Sequence, residues 1–210
     1  MSSINPRLFY VHDPMCSWCW GFSKTWLEIK QQLPDSIELI TLVGGLAPDS
    51  QQPMAESMQS FLQQTWHRIQ QQIPGTEFNF DFWTQNTPRR STYPACRAVI
   101  AAKKLAGKQD AMTSGIQQAY YLHAKNPSDL DTLTDVAVQI GLNSTDFKAL
   151  MDSEQIHDLL DAELTQGRNM GLNSFPSLAL QIDNELHAIT LDYNSSQNML
   201  HQINSLLQSS

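Results

Sequence analysis

Apolar positions along this chain follow two spacings, and the changes between them divide it into three stretches. Arg7-Leu8-Phe9-Tyr10-Val11-His12 is rich in aromatic and β-branched residues and predicts a short strand, closed by a turn at Asp13-Pro14-Met15. Phe22, Trp26, Ile29 and Leu33 then recur at steps of four, three and four, which is one helical face, and Pro34 stops it. Ile37 to Val43 is again β-prone and ends at Gly44-Gly45. Strand, helix, strand over so short a span predicts a βαβ unit with a parallel pair.

From about residue 51 the spacing becomes helical throughout. Met58, Phe61, Leu62, Trp66, Ile69 and Ile73 mark one face, broken at Pro74-Gly75. Phe78, Phe80, Phe82 and Trp83 form an aromatic cluster on an irregular segment. Further helices are expected from Pro94 to Gly107, then over 110–124, 128–140, 144–150 and 153–170. Period-two spacing returns at Ser177–Ile182, with a turn at Asp183-Asn184, a second strand over 186–191, and a closing helix over 195–207. The expected organisation is therefore α/β: a β-rich frame from residues 1–50 and 151–210, interrupted by an all-helical insertion at 51–150.

Composition narrows the function classes. The chain has 210 residues, of which 41% are apolar, so it can build a core. Charged residues are only 16%, against ~25% in typical domains, and glutamines such as Gln70-Gln71-Gln72 replace them. A net charge of −8 argues against a nucleic-acid partner or a polybasic membrane anchor. The start of the chain lacks a signal-peptide pattern, and no stretch approaches the ~20 apolar residues of a membrane span. The cytoplasm is the expected compartment. Three cysteines exclude a disulfide-rich scaffold.

Two of those cysteines carry the sharpest signal, Cys16-Ser17-Trp18-Cys19. The motif follows a strand and opens a helix, where free backbone N–H groups and the positive end of the helix dipole favour a thiolate over a thiol. Cys19 falls three residues on along the same face, close enough to close a disulfide. The expected arrangement is an exposed nucleophile beside a resolving thiol, suited to exchange through a mixed disulfide. A zinc half-site is the competing reading, but it needs further ligands, and the chain has neither a second Cys-x-x-Cys nor a His-x-x-x-His-type pair. No metal is expected. Two buried structural cysteines are the other alternative. Pro176, in Asn173-Ser174-Phe175-Pro176-Ser177, reads either as a turn residue before a strand or as a cis-proline facing the cysteines.

Strand, Cys-x-x-Cys, helix, strand, helical insertion, Phe-Pro loop, hairpin and helix together resemble the DsbA-like branch of the thioredoxin superfamily. His12-Asp13-Pro14-Met15-Cys16-Ser17-Trp18-Cys19-Trp20-Gly21-Phe22 is similar to its cytoplasmic FrnE-like subgroup. The resemblance implies a thioredoxin-like fold with Cys16 as nucleophile, Cys19 as resolving cysteine and Pro176 as the cis-proline. Phe175 stands where the family often has Val or Thr, and Ser17-Trp18 where its periplasmic oxidants have Pro-His. Ser17, Trp18, Phe175 and Pro176 become candidate substrate contacts, with Trp18 and Trp20 readable either as an apolar rim or as packing.

Four residues are candidates for tuning the pair. Asp13 reads as a helix cap or a proton acceptor, and His12 as a strand-end residue or an electrostatic influence on the thiolate. Cys96 reads as a buried small hydrophobe; the resemblance implies that the start of this insertion helix faces the active site, with Cys96 there as a third redox thiol and Arg97 as a thiolate partner. The expected activity is thiol–disulfide oxidoreduction of the reductase or isomerase type without a bound cofactor. Disulfide-containing or misfolded proteins, or small thiols such as glutathione, are the expected partners, and a homodimer is left open. Two rival readings keep the fold. One is a glutathione-dependent enzyme like the kappa transferases and hydroxychromene-carboxylate isomerases; the other is a redox-inactive adaptor.

Overall fold

The computed structural model describes residues 6–208; the first five residues of the segment read above for a leader pattern lie outside them. Strand β1 (Arg7–His12), helix α1 (Ser17–Gln32) and strand β2 (Glu38–Val43) form the expected unit, with β1 and β2 parallel from Arg7↔Glu38 to His12↔Val43. Strand β3 (Ser177–Ile182) runs antiparallel to β1 on its other side, and β4 (Glu185–Ala188) closes the hairpin. The order β2-β1-β3-β4 thus joins the two ends of the chain in one mixed sheet.

The last strand is shorter than the expected 186–191. Ile189 still donates its N–H to the Leu178 carbonyl. At Thr190, however, the Gln202 carboxamide takes both backbone groups, its Oε1 accepting the N–H at 2.9 Å and its Nε2 donating to the carbonyl at 3.0 Å. A side chain from the closing helix therefore ends the ladder.

Between β2 and β3 lie α2 (Glu56–Gln72), the single turn α3 (Phe82–Gln85), α4 (Tyr93–Ala106), α5 (Gln109–Tyr121), α6 (Leu130–Gln139), α7 (Ser144–Met151) and α8 (Glu154–Asn169); α9 (Ser196–Gln208) follows β4. Gly107 terminates α4 in the left-handed region at φ 64°, a conformation glycine adopts without a Cβ penalty, and its N–H returns to the Lys103 carbonyl. Helix α5 stops at Tyr121, three residues short of the expected 124, because Ala124 turns to φ 52°.

The alternation along β1 assigns its two faces. Leu8 and Tyr10 pack with Phe22, Trp26 and Ile29 of α1 and with α9, whereas Phe9 and Val11 face Leu42, Leu172 and Phe175. Each fully buried side chain of this kind contributes roughly 1.5–3 kcal/mol. Helices α4 to α8 share a separate apolar cluster that reaches Val43 at the end of β2. The ends of β1 and β2, where Asp13 and Gly44 leave the sheet, are thus held between sheet and helices. No helix among the described residues is long and apolar enough to cross a membrane.

Candidate active site

The turn after β1 is closed by the Cys16 N–H, which donates to the Asp13 carbonyl at 3.0 Å. Cys16 then caps α1 in extended conformation (φ −80°, ψ 116°), and its own Sγ accepts the Cys19 N–H at 3.3 Å. Across 159 positions of sequence, the Phe175 carbonyl receives the Cys16 thiol at 3.4 Å. The Phe175–Pro176 peptide is cis. All three cysteines are free thiols.

Cys16 is less open than expected. Its residue exposure is 5%, because the loop carrying Phe175 roofs its sulfur, and Cys19 is at 0%. Burial pushes the Cys19 thiol well above its ordinary range, with Cys16 adding to the rise and the Asp13 backbone N–H opposing it. Cys19 therefore holds its proton until an event at Cys16 draws on it. Ser17 is buried beside the pair. Trp18 lies half-buried against the Tyr193 ring at 5.3 Å, with the Arg68 guanidinium 5.9 Å from its centroid. Trp20 stacks on Tyr121 and donates Nε1 to the Glu77 carbonyl at 3.0 Å. Both tryptophans thus pack against the helical array while bordering the motif.

Asp13 does not cap α1; Cys16 takes that position with its own sulfur. The Asp13 carboxylate is fully buried and saturated. Oδ1 accepts the Met15 N–H at 2.8 Å, while Oδ2 accepts the Leu46 N–H at 2.7 Å, the Thr92 hydroxyl at 2.6 Å and the Cys96 thiol at 3.6 Å. Burial raises its pKa, and these hydrogen bonds oppose the rise. Neither oxygen is directed to Cys19, so the proton-acceptor reading of Asp13 loses its geometry.

The other tuning candidates separate. His12 is 1% exposed and stacks on Tyr10 at 5.1 Å; burial lowers its pKa to about 4, so it is neutral near pH 7 and supplies no positive charge to a thiolate. Arg97 does not meet the cysteines either: its guanidinium forks onto Asp49 at 2.8 and 2.6 Å. Cys96 sits in the core of the helical array at 0% exposure, its sulfur against Asp13 and its pKa driven up by burial and by that carboxylate.

Several residues at the site escaped the sequence reading. Thr92 precedes Tyr93-Pro94 at a helix start and so carries the signal of a cap, yet its hydroxyl reaches Asp13 instead. Gly44 extends the β1–β2 ladder by donating to the His12 carbonyl at 2.7 Å and leaves room for the Phe175 ring. Among the described residues no three His, Cys, Asp or Glu side chains gather as a metal ion would require.

Residues 9–200 match the model of a family described as thioredoxin. Among solved structures, the chain is similar to a candidate protein disulfide isomerase from Nitrosomonas europaea, at 25% identity and a TM-score of 0.86, with 98% of this chain and 99% of that one covered. It is similar in fold to the cytosolic disulfide reductase DsbM from Pseudomonas aeruginosa, at 23% identity and a TM-score of 0.78, covering 97% and 100%. The same reductase with GSH matches at 22% identity and a TM-score of 0.76, covering 96% and 99%.

Proposed function

The chain belongs to the thioredoxin family, in its DsbA-like form, and from that premise we propose that it is a thiol–disulfide oxidoreductase of the reductase or isomerase type. The observation that carries the reading is the position of the Cys16 sulfur, between the Cys19 N–H at 3.3 Å and the Phe175 carbonyl at 3.4 Å. The first donor stabilises charge on Cys16, and the second group is an acceptor for the N–H of an extended substrate laid alongside.

In the proposed cycle the Cys16 thiolate attacks one sulfur of a substrate disulfide. A Cys16–substrate bond forms, and the other substrate sulfur leaves with the electron pair. Cys19 then attacks Cys16 Sγ, forms the Cys16–Cys19 disulfide and releases the second substrate sulfur as a thiolate. The substrate gains the electrons that the cysteine pair loses. A hollow of about 230 Å³ beside Phe175, bordered by Gly45, Leu46, Leu164 and Arg168, would receive the group attached to the attacked sulfur.

The similar reductase with GSH supports glutathione as the thiol that returns the pair to its reduced form, leaving as glutathione disulfide. Its description as cytosolic, with the FrnE-like motif around Cys16, supports a cytoplasmic location and membership of that subgroup. The test is glutathione-dependent reduction of a protein disulfide, parent against Cys16→Ser. Activity is expected to fall to background in the variant, and equal turnover by the two proteins would overturn the mechanism.

A further inference from the structure

The proposed cycle leaves one proton without a destination. Cys19 is 0% exposed, and the nearby carboxylate, Asp13, has both oxygens occupied by other donors. A cavity of about 490 Å³, lined by neither Asp13 nor its partners, lies between α1, β1 and α5. Cys19 forms part of its wall, together with Tyr10, His12 and Gln117. These three polar side chains are 4%, 1% and 4% exposed. Of these, the His12 Nδ1 is buried without a hydrogen-bond partner.

Buried polar groups are normally satisfied, and an unpartnered imidazole nitrogen beside a phenol and a carboxamide on the wall of one cavity marks a place that takes water. The volume holds several molecules, at ~30 Å³ each in the liquid. The Lys30–Asp110 ion pair, 2.9 Å long, also lines the cavity, and the Asp110 side chain is 60% exposed, so the cavity reaches solvent there.

We propose that the Tyr10 hydroxyl and the water of this cavity carry the Cys19 proton to solvent when Cys19 resolves a mixed disulfide at Cys16. The inference rests on the exchange mechanism above. As the Cys19–Cys16 bond forms and the Cys16–substrate bond breaks, the electron pair leaves on the substrate sulfur. The Cys19 proton passes to cavity water ordered by Tyr10, with His12 and Gln117 holding the file to its mouth, and the departing thiolate takes a proton from bulk solvent.

A hydroxyl both donates and accepts, so it relays a proton without storing charge. The Tyr10 phenol suits that role, because burial and the neighbouring Cys19 push its pKa well above the ordinary value and keep it neutral. The groups that act on it electrostatically are Cys19, Cys16, Tyr193 and Asp110, while Lys30 and Asp110 act on its stacking partner His12. Tyr10 is a positioning residue in this scheme, since it reaches Cys19 through water.

The test uses the reduced full chain and the aromatic disulfide 5,5′-dithiobis(2-nitrobenzoate) under rapid mixing. The first release of nitrothiobenzoate reports attack by Cys16, and the second reports resolution by Cys19. In Tyr10→Phe, which removes only the hydroxyl, the second release is expected to slow about 10-fold or more, the scale on which positioned proton transfer acts. The first release and the equilibrium with glutathione should stay unchanged. Gln117→Leu, on a different helix, should slow the same phase and serves if Tyr10→Phe does not fold. A second phase as fast as the parent's in a folded variant would overturn the proton path. Absence of the first phase in the parent would instead overturn the role of Cys16 on which the path depends.

Discussion

The ring of Phe175 fills the space that a side chain at position 44 would need: a Cβ on Gly44 would stand 2.0 Å from the Phe175 Cε1. Glycine at 44 is what admits the aromatic ring at 175. Gly44→Ala should therefore displace the ring and draw the Phe175 carbonyl from Cys16. The expected cost is about 1–3 kcal/mol in urea unfolding, with slower reduction of a protein disulfide. Adding Phe175→Val should restore stability; a Gly44→Ala protein as stable as the parent would show that the ring moves freely.

His12 gives stability a pH dependence of definite sign. Its pKa is about 4 in the folded chain against 6.5 when free, so the unfolded chain binds the extra proton between those values. Stability from this residue is complete above 6.5 and is lost as the pH falls toward 4. The loss amounts to about 3 kcal/mol at its limit. Comparing His12→Phe with the parent across that window should remove this slope from the variant.

Asp13 should act in the opposite direction. Its folded pKa is raised above 3.8, so its contribution is most favourable below that value and declines as the pH rises through the folded pKa. Asp13→Asn should remove that decline. It should also lower stability near neutral pH, because an amide cannot accept from Met15, Leu46 and Thr92 as a carboxylate does. Parallel denaturation of parent and variant at acidic and neutral pH checks both effects.

Arg97→Met should leave the redox equilibrium with glutathione and the rate of exchange unchanged, since Asp49 and not a thiolate engages the guanidinium. The stability cost should be below about 1 kcal/mol, because the Asp49 side chain is 53% exposed. A marked change in the redox equilibrium would mean that Arg97 reaches the cysteines in solution.

Cys96 should resist alkylation in the native protein and react after unfolding, whereas Cys16 should label first. Burial and the Asp13 carboxylate both oppose formation of a Cys96 thiolate. Peptide mapping after a short iodoacetamide pulse reads the order directly.

Local physics made the cysteine motif and the surrounding elements legible. A β-rich run, a proline turn and a four-three-four apolar step place Cys16 at a helix start without any long-range information. The partners of the side chains were not legible in the same way. Thr92 looks like an ordinary helix cap, and only the fold carries it across 79 positions to Asp13. Arg97 stands next to Cys96 in sequence, but successive residues on a helix point in different directions, and its guanidinium goes to Asp49. The hairpin strand fell short because Gln202, on another element, claims the backbone at Thr190. Tyr10 and His12 read as strand residues, and the cavity they line needs α5 for its far wall.

The carboxylate of Asp13 joins three separate lengths of chain: the turn before Cys16, the stretch after β2 at Leu46, and the head of α4 at Thr92 and Cys96. A graft that moved the helical array onto another sheet, or trimmed it away, would strand a buried anion directly beneath the redox pair. The array is thus part of the foundation of the active site, and exchanging it between relatives requires Asp13 and Thr92 to travel together.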